Sequence, residues 1–215
     1  MSRHFSLSKV AYGAVAVALL TAPAALAAPG VSSTKPADLP AGRYVLDKTH
    51  ASVVGKIKHM GFSNYQFRFT KVDAEFTYDP KAPQDAKITV TIDPASIDTS
   101  TGADAFGLKF NKELAGDGWL EANKYPTATF VSTKVEPGAG QTGKVYGDFT
   151  LHGVTKPIVL DVTFNGVGSG FAPGSVKTGF SAVTSIKRSE FGVSKYVPLV
   201  GDEVALSIEV EFDKK

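Results

Sequence analysis

The chain has no cysteine among its 215 residues, only one tryptophan and two methionines, and four histidines. Without thiols, disulfides, thiolate nucleophiles and cysteine-held metals are excluded. An excess of one charge is missing too. Lys plus Arg number 23 against 21 Asp plus Glu, and two of the basic residues, Arg3 and Lys9, fall in the first 27 positions, so the rest of the chain is balanced. A basic footprint with interleaved aromatics is absent, which argues against a nucleic-acid partner. There is no phosphate loop and no dinucleotide fingerprint, and Ser, His and Asp occur in no recognisable catalytic context.

Long hydrophobic runs are also scarce. The one that stands out, residues 10–20, follows Arg3 and Lys9 and precedes the small-x-small site Ala25, Leu26, Ala27. That order is a signal peptide over residues 1–27, with cleavage expected before Ala28. The run is short and alanine-rich for a membrane span. No cysteine follows the cut, so no lipid anchor is expected; the mature chain is expected in the periplasm, or secreted. Residues 28–42 are rich in Pro, Ser and Ala without periodicity and read as a flexible leader. Residues 43–213 form a single domain, large enough to build a core without disulfides.

What fills that domain is alternation. In KVYGDFTLHGVTKPIVLDVTF, residues 144–164, Val145, Gly147, Phe149 and Leu151 face one way and Tyr146, Asp148, Thr150 and His152 the other. After the Gly153–Pro157 turn region, Ile158, Leu160, Val162 and Phe164 resume the apolar side. Period two means a strand with one greasy face. Strands are predicted at 43–60 (bent near Thr49), 65–78, 86–93, 128–135, 144–152, 157–165, 176–186 and 203–212. Asp79-Pro80, Asp93-Pro94, Pro137-Gly138 and the glycine-rich 166–174 supply the turns. Between the third and fourth strands, Phe106, Phe110 and Leu114 recur at helical spacing. One or two short helices are expected there, over 104–115 and 117–123, with Asp104 or a neighbouring Thr as cap. The fold expected is all-β: an eight-stranded antiparallel, lipocalin-like barrel, whose interior is filled by side chains or holds one small ligand.

The inward set expected to line that interior is Val53, Ile57, Phe67, Phe69, Phe76, Phe106, Phe110, Trp119, Phe130, Phe149, Leu151, Phe180, Ile186 and Leu206. Small residues at inward positions, among them Gly55 and Gly147, hint at a cavity, although a packed barrel needs mixed sizes as well. His50 and His59 are nine residues apart, on opposite faces of an unbroken strand, which is no metal-ligand spacing. His59 is in phase with Val53 and Ile57 and is a candidate for a ligand head group, against the alternative of a satisfied core histidine. His152 reads as a turn histidine bonding local backbone. Arg188 sits at a strand end: it is either a rim salt bridge to Glu190 or Asp202, or a guanidinium able to hold a phosphate.

Taken together, these pieces resemble the YceI-like family of exported lipid-binding proteins. The matching stretches are YVLD (44–47), HAS (50–52) with His59 following, GWLE (118–121), KYPTATF (124–130), GDFTLHGVTKP (147–157), Arg188 with FG (191–192), and VGDEV (200–204). They occur in the family's order and run from about Tyr44 to Phe212. The resemblance implies an eight-stranded barrel around a long apolar pocket, occupied in some members by a polyisoprenoid, an isoprenoid quinone or a fatty amide. Ala51 departs from the usual serine, and LKFNK (108–112) replaces an Arg/His-rich stretch, so head-group contacts from that segment are not carried over. The function implied is transport, storage or sequestration of an isoprenoid or other long-chain lipid. No cofactor is expected beyond that lipid or quinone, and transient membrane contact or a homodimer is open. The residues alone leave two other readings: a ligand-free, partner-binding barrel, and an enzyme acting on the enclosed lipid.

Overall fold

A computed structural model describes residues 29–99 and 105–215; the expected signal peptide and the expected cap at Asp104 lie outside the described residues. The strands are β1 (Gly30–Ser33), β2 (Gly42–His59), β3 (Ser63–Phe69), β4 (Val72–Tyr78), β5 (Lys87–Ile92), β6 (Ile97–Asp98), β7 (Ala128–Pro137), β8 (Thr142–Leu151), β9 (Val154–Ser169), β10 (Lys177–Lys187) and β11 (Val200–Lys214). One helix, α1 (Ala105–Ala115), lies between β6 and β7. All pairings are antiparallel, and β11 returns to pair with β2, which closes the barrel. β3 and β4 behave as one bent strand: β2 pairs with β3 through Val53–Phe69 to His59–Ser63, and with β4 through Gly42–Tyr78 to Val45–Glu75. Counted that way the barrel has eight strands, as the alternation predicts.

Two departures from regular pairing shape the wall. Where β2 runs beside β11, the register jumps from Ala51↔Val210 to Leu46↔Phe212, so Asp47 to His50 bulge outward at the predicted bend. The bulge is stitched by its own polar atoms. Asp47 Oδ1 accepts the Thr49 amide at 3.0 Å, and its Oδ2 accepts Lys177 Nζ at 2.6 Å. Near α1, β3 no longer pairs with β5; β6 takes its edge instead, through Arg68↔Asp98 and Phe69↔Ile97. That divergence opens the wall at one end, and α1 packs over the opening.

The segment read as a flexible leader is ordered. β1 adds to the edge of β9, a single helical turn spans Pro36–Asp38, and Leu39 is 2% exposed. Tyr44 donates its hydroxyl to the Pro40 carbonyl at 2.6 Å, and Tyr78 to that of Pro36 at 3.0 Å. Three prolines, Pro29, Pro36 and Pro40, limit what the segment loses on ordering, and Leu39 gives it something to bury. The second expected helix, 117–123, is a run of turns. Gly116 and Gly118 interrupt it, Gly118 with φ +73°.

Two buried clusters cap the interior. Leu39, Tyr44, Leu46, Phe76, Phe164 and Phe212 gather at the leader end, and Ile57, Phe130, Phe149, Leu151, Ile186 and Phe191 at the helix end. At the helix end β8 turns into β9 through His152 (φ 53°) and Gly153 (φ 75°). Two left-handed residues in a row make a tight hairpin turn of the kind that matches strand twist.

Candidate ligand-binding cavity

Between the two clusters lies a cavity of about 740 Å³, within the roughly 300–1,000 Å³ usual for small-molecule sites. Its wall is the inward set of nearly every barrel strand. Of the residues expected to line it, all do except Phe106. Phe106 is 69% exposed, stacked on Phe110 at 6.3 Å on the outer side of the flap. Helical spacing puts both rings on one face, but that face runs past the barrel edge at the first turn of α1.

The small residues do less than their size suggests. A Cβ on Gly55 would stand 2.3 Å from the Phe67 ring, and one on Gly147 would stand 2.4 Å from that of Phe130. The space over both glycines is therefore ring, not cavity, and the two rings lie flat against the barrel wall.

At the helix end the lining becomes mixed. His59, Tyr65, Phe110, Glu113, Trp119, Arg188 and Tyr196 border it. Tyr65 Oη and Trp119 Nε1 are buried without a hydrogen-bond partner, an expensive state for polar atoms in a folded chain. His59 is exposed at the rim, its ring 6.3 Å from that of Tyr65; it is not the buried inward histidine that its phase suggested.

Arg188 takes neither expected role. It is 5% exposed, and four of its five N–H groups go to main-chain carbonyls: Nε to Gly201, Nη1 to Val193, and Nη2 to Lys195 and Val200, at 2.8–2.9 Å. Burial pushes its guanidinium below its ordinary value, opposed by the charge of Asp202. Asp202 does not pair with it directly; its carboxylate accepts the amide and hydroxyl of Ser189 at 2.9 and 2.7 Å. The fork is a staple for the loop between β10 and β11, with little left for a phosphate.

His152 makes no bond to local backbone either. Its ring packs on Tyr125 at 4.5 Å, and Nε2 faces Glu121 at 3.5 Å, too loosely aligned to count as a hydrogen bond. On the outer wall, the bulge brings Asp47, His50 and Glu211 within metal-ligand reach of one another. Lys177 already fills that position, with its ammonium 2.6 Å from Asp47 and 3.3 Å from both Glu211 and Asp213.

Sequence reasoning missed part of the lining. Pro36, Ala37 and Leu39 of the leader and the turn at 138–144 close the far end. Leu39 was the available signal, the one leucine in a mostly small and polar segment. Tyr65 was in phase with the inward set but was not singled out as polar.

An eight-stranded antiparallel barrel with an interior cavity bordered by a helical flap is the lipocalin-like architecture that the alternation predicts. The sequence matches the YceI-like domain over residues 44–212, and the chain belongs to that family. A UPF0312 protein of Pseudomonas fluorescens is 39% identical over 179 residues, covering 80% of this chain and 86% of the relative. The Campylobacter jejuni YCEI protein crystal structure superposes with a TM-score of 0.63 at 36% identity, covering 74% of this chain and 91% of that one. A polyisoprenoid binding domain from Saccharophagus degradans shares the fold alone, with a TM-score of 0.55 at 14% identity over 80% of this chain and 98% of that one.

Proposed function

We propose that this protein encloses one isoprenoid-type or similar long-chain lipid within its barrel and carries or sequesters it in the periplasm after export. The observation that carries this reading is the 740 Å³ cavity with its almost wholly apolar wall. A magnitude favours a long chain over a small metabolite. Burying about 400 Å² of ligand gains roughly 10 kcal/mol at about 25 cal/mol/Å². Association costs about 4–15 kcal/mol, so a short ligand with few polar contacts binds poorly.

The polar end of the cavity bears on the head group. Tyr65 and Trp119 offer unpaired donors, while Arg188 gives four of its five N–H groups to carbonyls, Lys195 faces Glu113 at 3.8 Å, and Lys144 pairs with Asp161 at the far end. That supports a neutral head bearing hydrogen-bond acceptors, such as a quinone or amide carbonyl, over a prenyl phosphate. Of the ionisable groups at the mouth, Glu113 faces Lys195 at 3.8 Å and His59 is exposed at the rim, which supports binding over turnover.

Native mass spectrometry of protein purified without detergent from its own compartment, followed by solvent extraction, tests this. One long-chain lipid per chain is expected, lost in Leu206→Trp, which fills the mid-cavity. A bare mature mass that takes up neither an isoprenoid quinone nor a prenyl phosphate would sink the proposal. Tighter binding of the phosphate than of the quinone would overturn the head-group assignment alone.

A further inference from the structure

The rim at the helix end displays large apolar side chains that line no core. Phe62 is 85% exposed and Leu199 63%, and Met60, Phe106 and Tyr196 are exposed with them. They come from three separate elements: the β2–β3 turn, the β10–β11 loop and the first turn of α1. Contacts hold these elements side by side. The Met60 amide donates to the Leu199 carbonyl at 2.8 Å, the Trp119 and Tyr196 rings lie 5.8 Å apart, and Phe106 stacks on Phe110, which meets Tyr65 at 6.1 Å. The tips therefore circle the opening that His59, Phe110 and Trp119 border. Contiguous exposed apolar surface of this sort marks an interaction site.

Two further observations say what kind. Met60 has φ 49° and Tyr196 φ 62°, the left-handed region that side chains other than Gly, Asn and Asp seldom adopt. These two positions would hold glycine more easily, yet they present a thioether and a phenol to solvent. The charge pattern is one-sided as well. Residues 59–64 and 192–200 contain no Asp or Glu and one lysine, Lys195, while the exposed Glu190 sits at the start of the same loop. Lys58, Lys109 and Lys112 add exposed cations around them; the acids of the flap among the described residues are Glu113, which faces Lys195 at 3.8 Å, Asp117, and Glu121, which lies 3.8 Å from Lys124.

We infer that this collar docks the mouth of the barrel onto an anionic lipid bilayer, so that the cavity opens into the medium in which its ligand dissolves. The inference rests on the lipid-binding reading of the cavity. Apolar and aromatic tips backed by lysines suit the headgroup–acyl boundary and an anionic surface. A second copy of the chain suits them poorly. A two-fold contact through this face would bring two copies of the same lysine-bearing rim together.

Vesicle flotation with the full mature protein tests this, using phosphatidylcholine alone or mixed with phosphatidylglycerol. The wild type is expected to float with the anionic vesicles and to be released by salt. Phe62→Ser combined with Leu199→Ser removes two exposed tips, so folding is not at stake; partitioning falls at least about tenfold. Phe171→Ser removes a 93% exposed ring at the opposite end and should leave partitioning unchanged. Lipid extracted from the double variant should match the wild type, which separates docking from holding. Failure of wild-type protein that carries lipid to float, or equal flotation of the double variant, would overturn the docking inference alone. Sedimentation showing a wild-type dimer that the double variant dissolves would also overturn it, in favour of a second copy. Wild-type protein that is empty and takes up no lipid would instead sink the reading beneath it.

Discussion

At the leader end, Tyr44 stacks flat on Phe76 at 4.7 Å, and Phe76 meets Phe212 edge-on at 4.9 Å and Phe180 at 5.6 Å. At the helix end the bookkeeping is different. The buried unpaired side-chain atoms found among the described residues, on Tyr65, Trp119 and His152, all lie there. So do the non-glycine residues with positive φ: Met60, Glu121, His152 and Tyr196. One end is packed and satisfied, the other strained and incompletely bonded. Strain and unpaired polar groups persist where the rest of the fold overrides them, and they gather at functional sites. The closed end supplies the stability that lets the open end be poor.

Substitutions can break this contrast or sharpen it. The largest effect is expected from Arg188→Ala, which strips four carbonyls of their donors and should cost at least about 3 kcal/mol, read from the urea midpoint. It is the exception that tests the rule, a stability residue at the open end. Leu39→Ala at the closed end should cost about 2–4 kcal/mol, with the chain-to-lipid ratio unchanged. If instead it released the lipid, the closed end would be part of the gate.

Titration is next in size. Hydrogen bonds from Lys177, then Thr49 and His50, hold the Asp47 carboxyl well below the ordinary carboxylate range. A depressed folded-state value contributes stability above about pH 4, and that contribution is lost as pH falls further. Asp47→Asn should therefore cost about 1–2 kcal/mol at neutral pH and progressively less as pH falls below about 4, seen in thermal midpoints. At the alkaline side, burial raises the Tyr44 hydroxyl to about 12, with the charge of Tyr78 adding to it. Its contribution is complete below about pH 10, where the unfolded phenol ionises, and is lost by pH 12. Tyr44→Phe should flatten that alkaline loss. The smallest stability change is expected from Tyr65→Phe, within about 0.5 kcal/mol, because no protein partner is lost. Its affinity for a carbonyl-headed lipid should still fall roughly three- to tenfold.

Much of this architecture was legible in the sequence. Alternation placed the eight wall strands, and the slip in phase between Phe69 and Val72, three residues apart yet both inward, marks where the second strand bends into β3 and β4. The leader escaped because one leucine between two prolines has no period to detect. The staple formed by Arg188 escaped for another reason: its partners are main-chain carbonyls, which every residue carries. Gly55 and Gly147 were read as room, since the ring that covers each comes from a neighbouring strand whose register the sequence does not display.

Those two covered glycines have a consequence for which molecules fit. Phe67 and Phe130 already rest against bare backbone, so neither ring has anywhere further out to go. At those two places the bore is already as wide as the main chain permits, so a ligand of larger girth would have to find its room elsewhere along the wall.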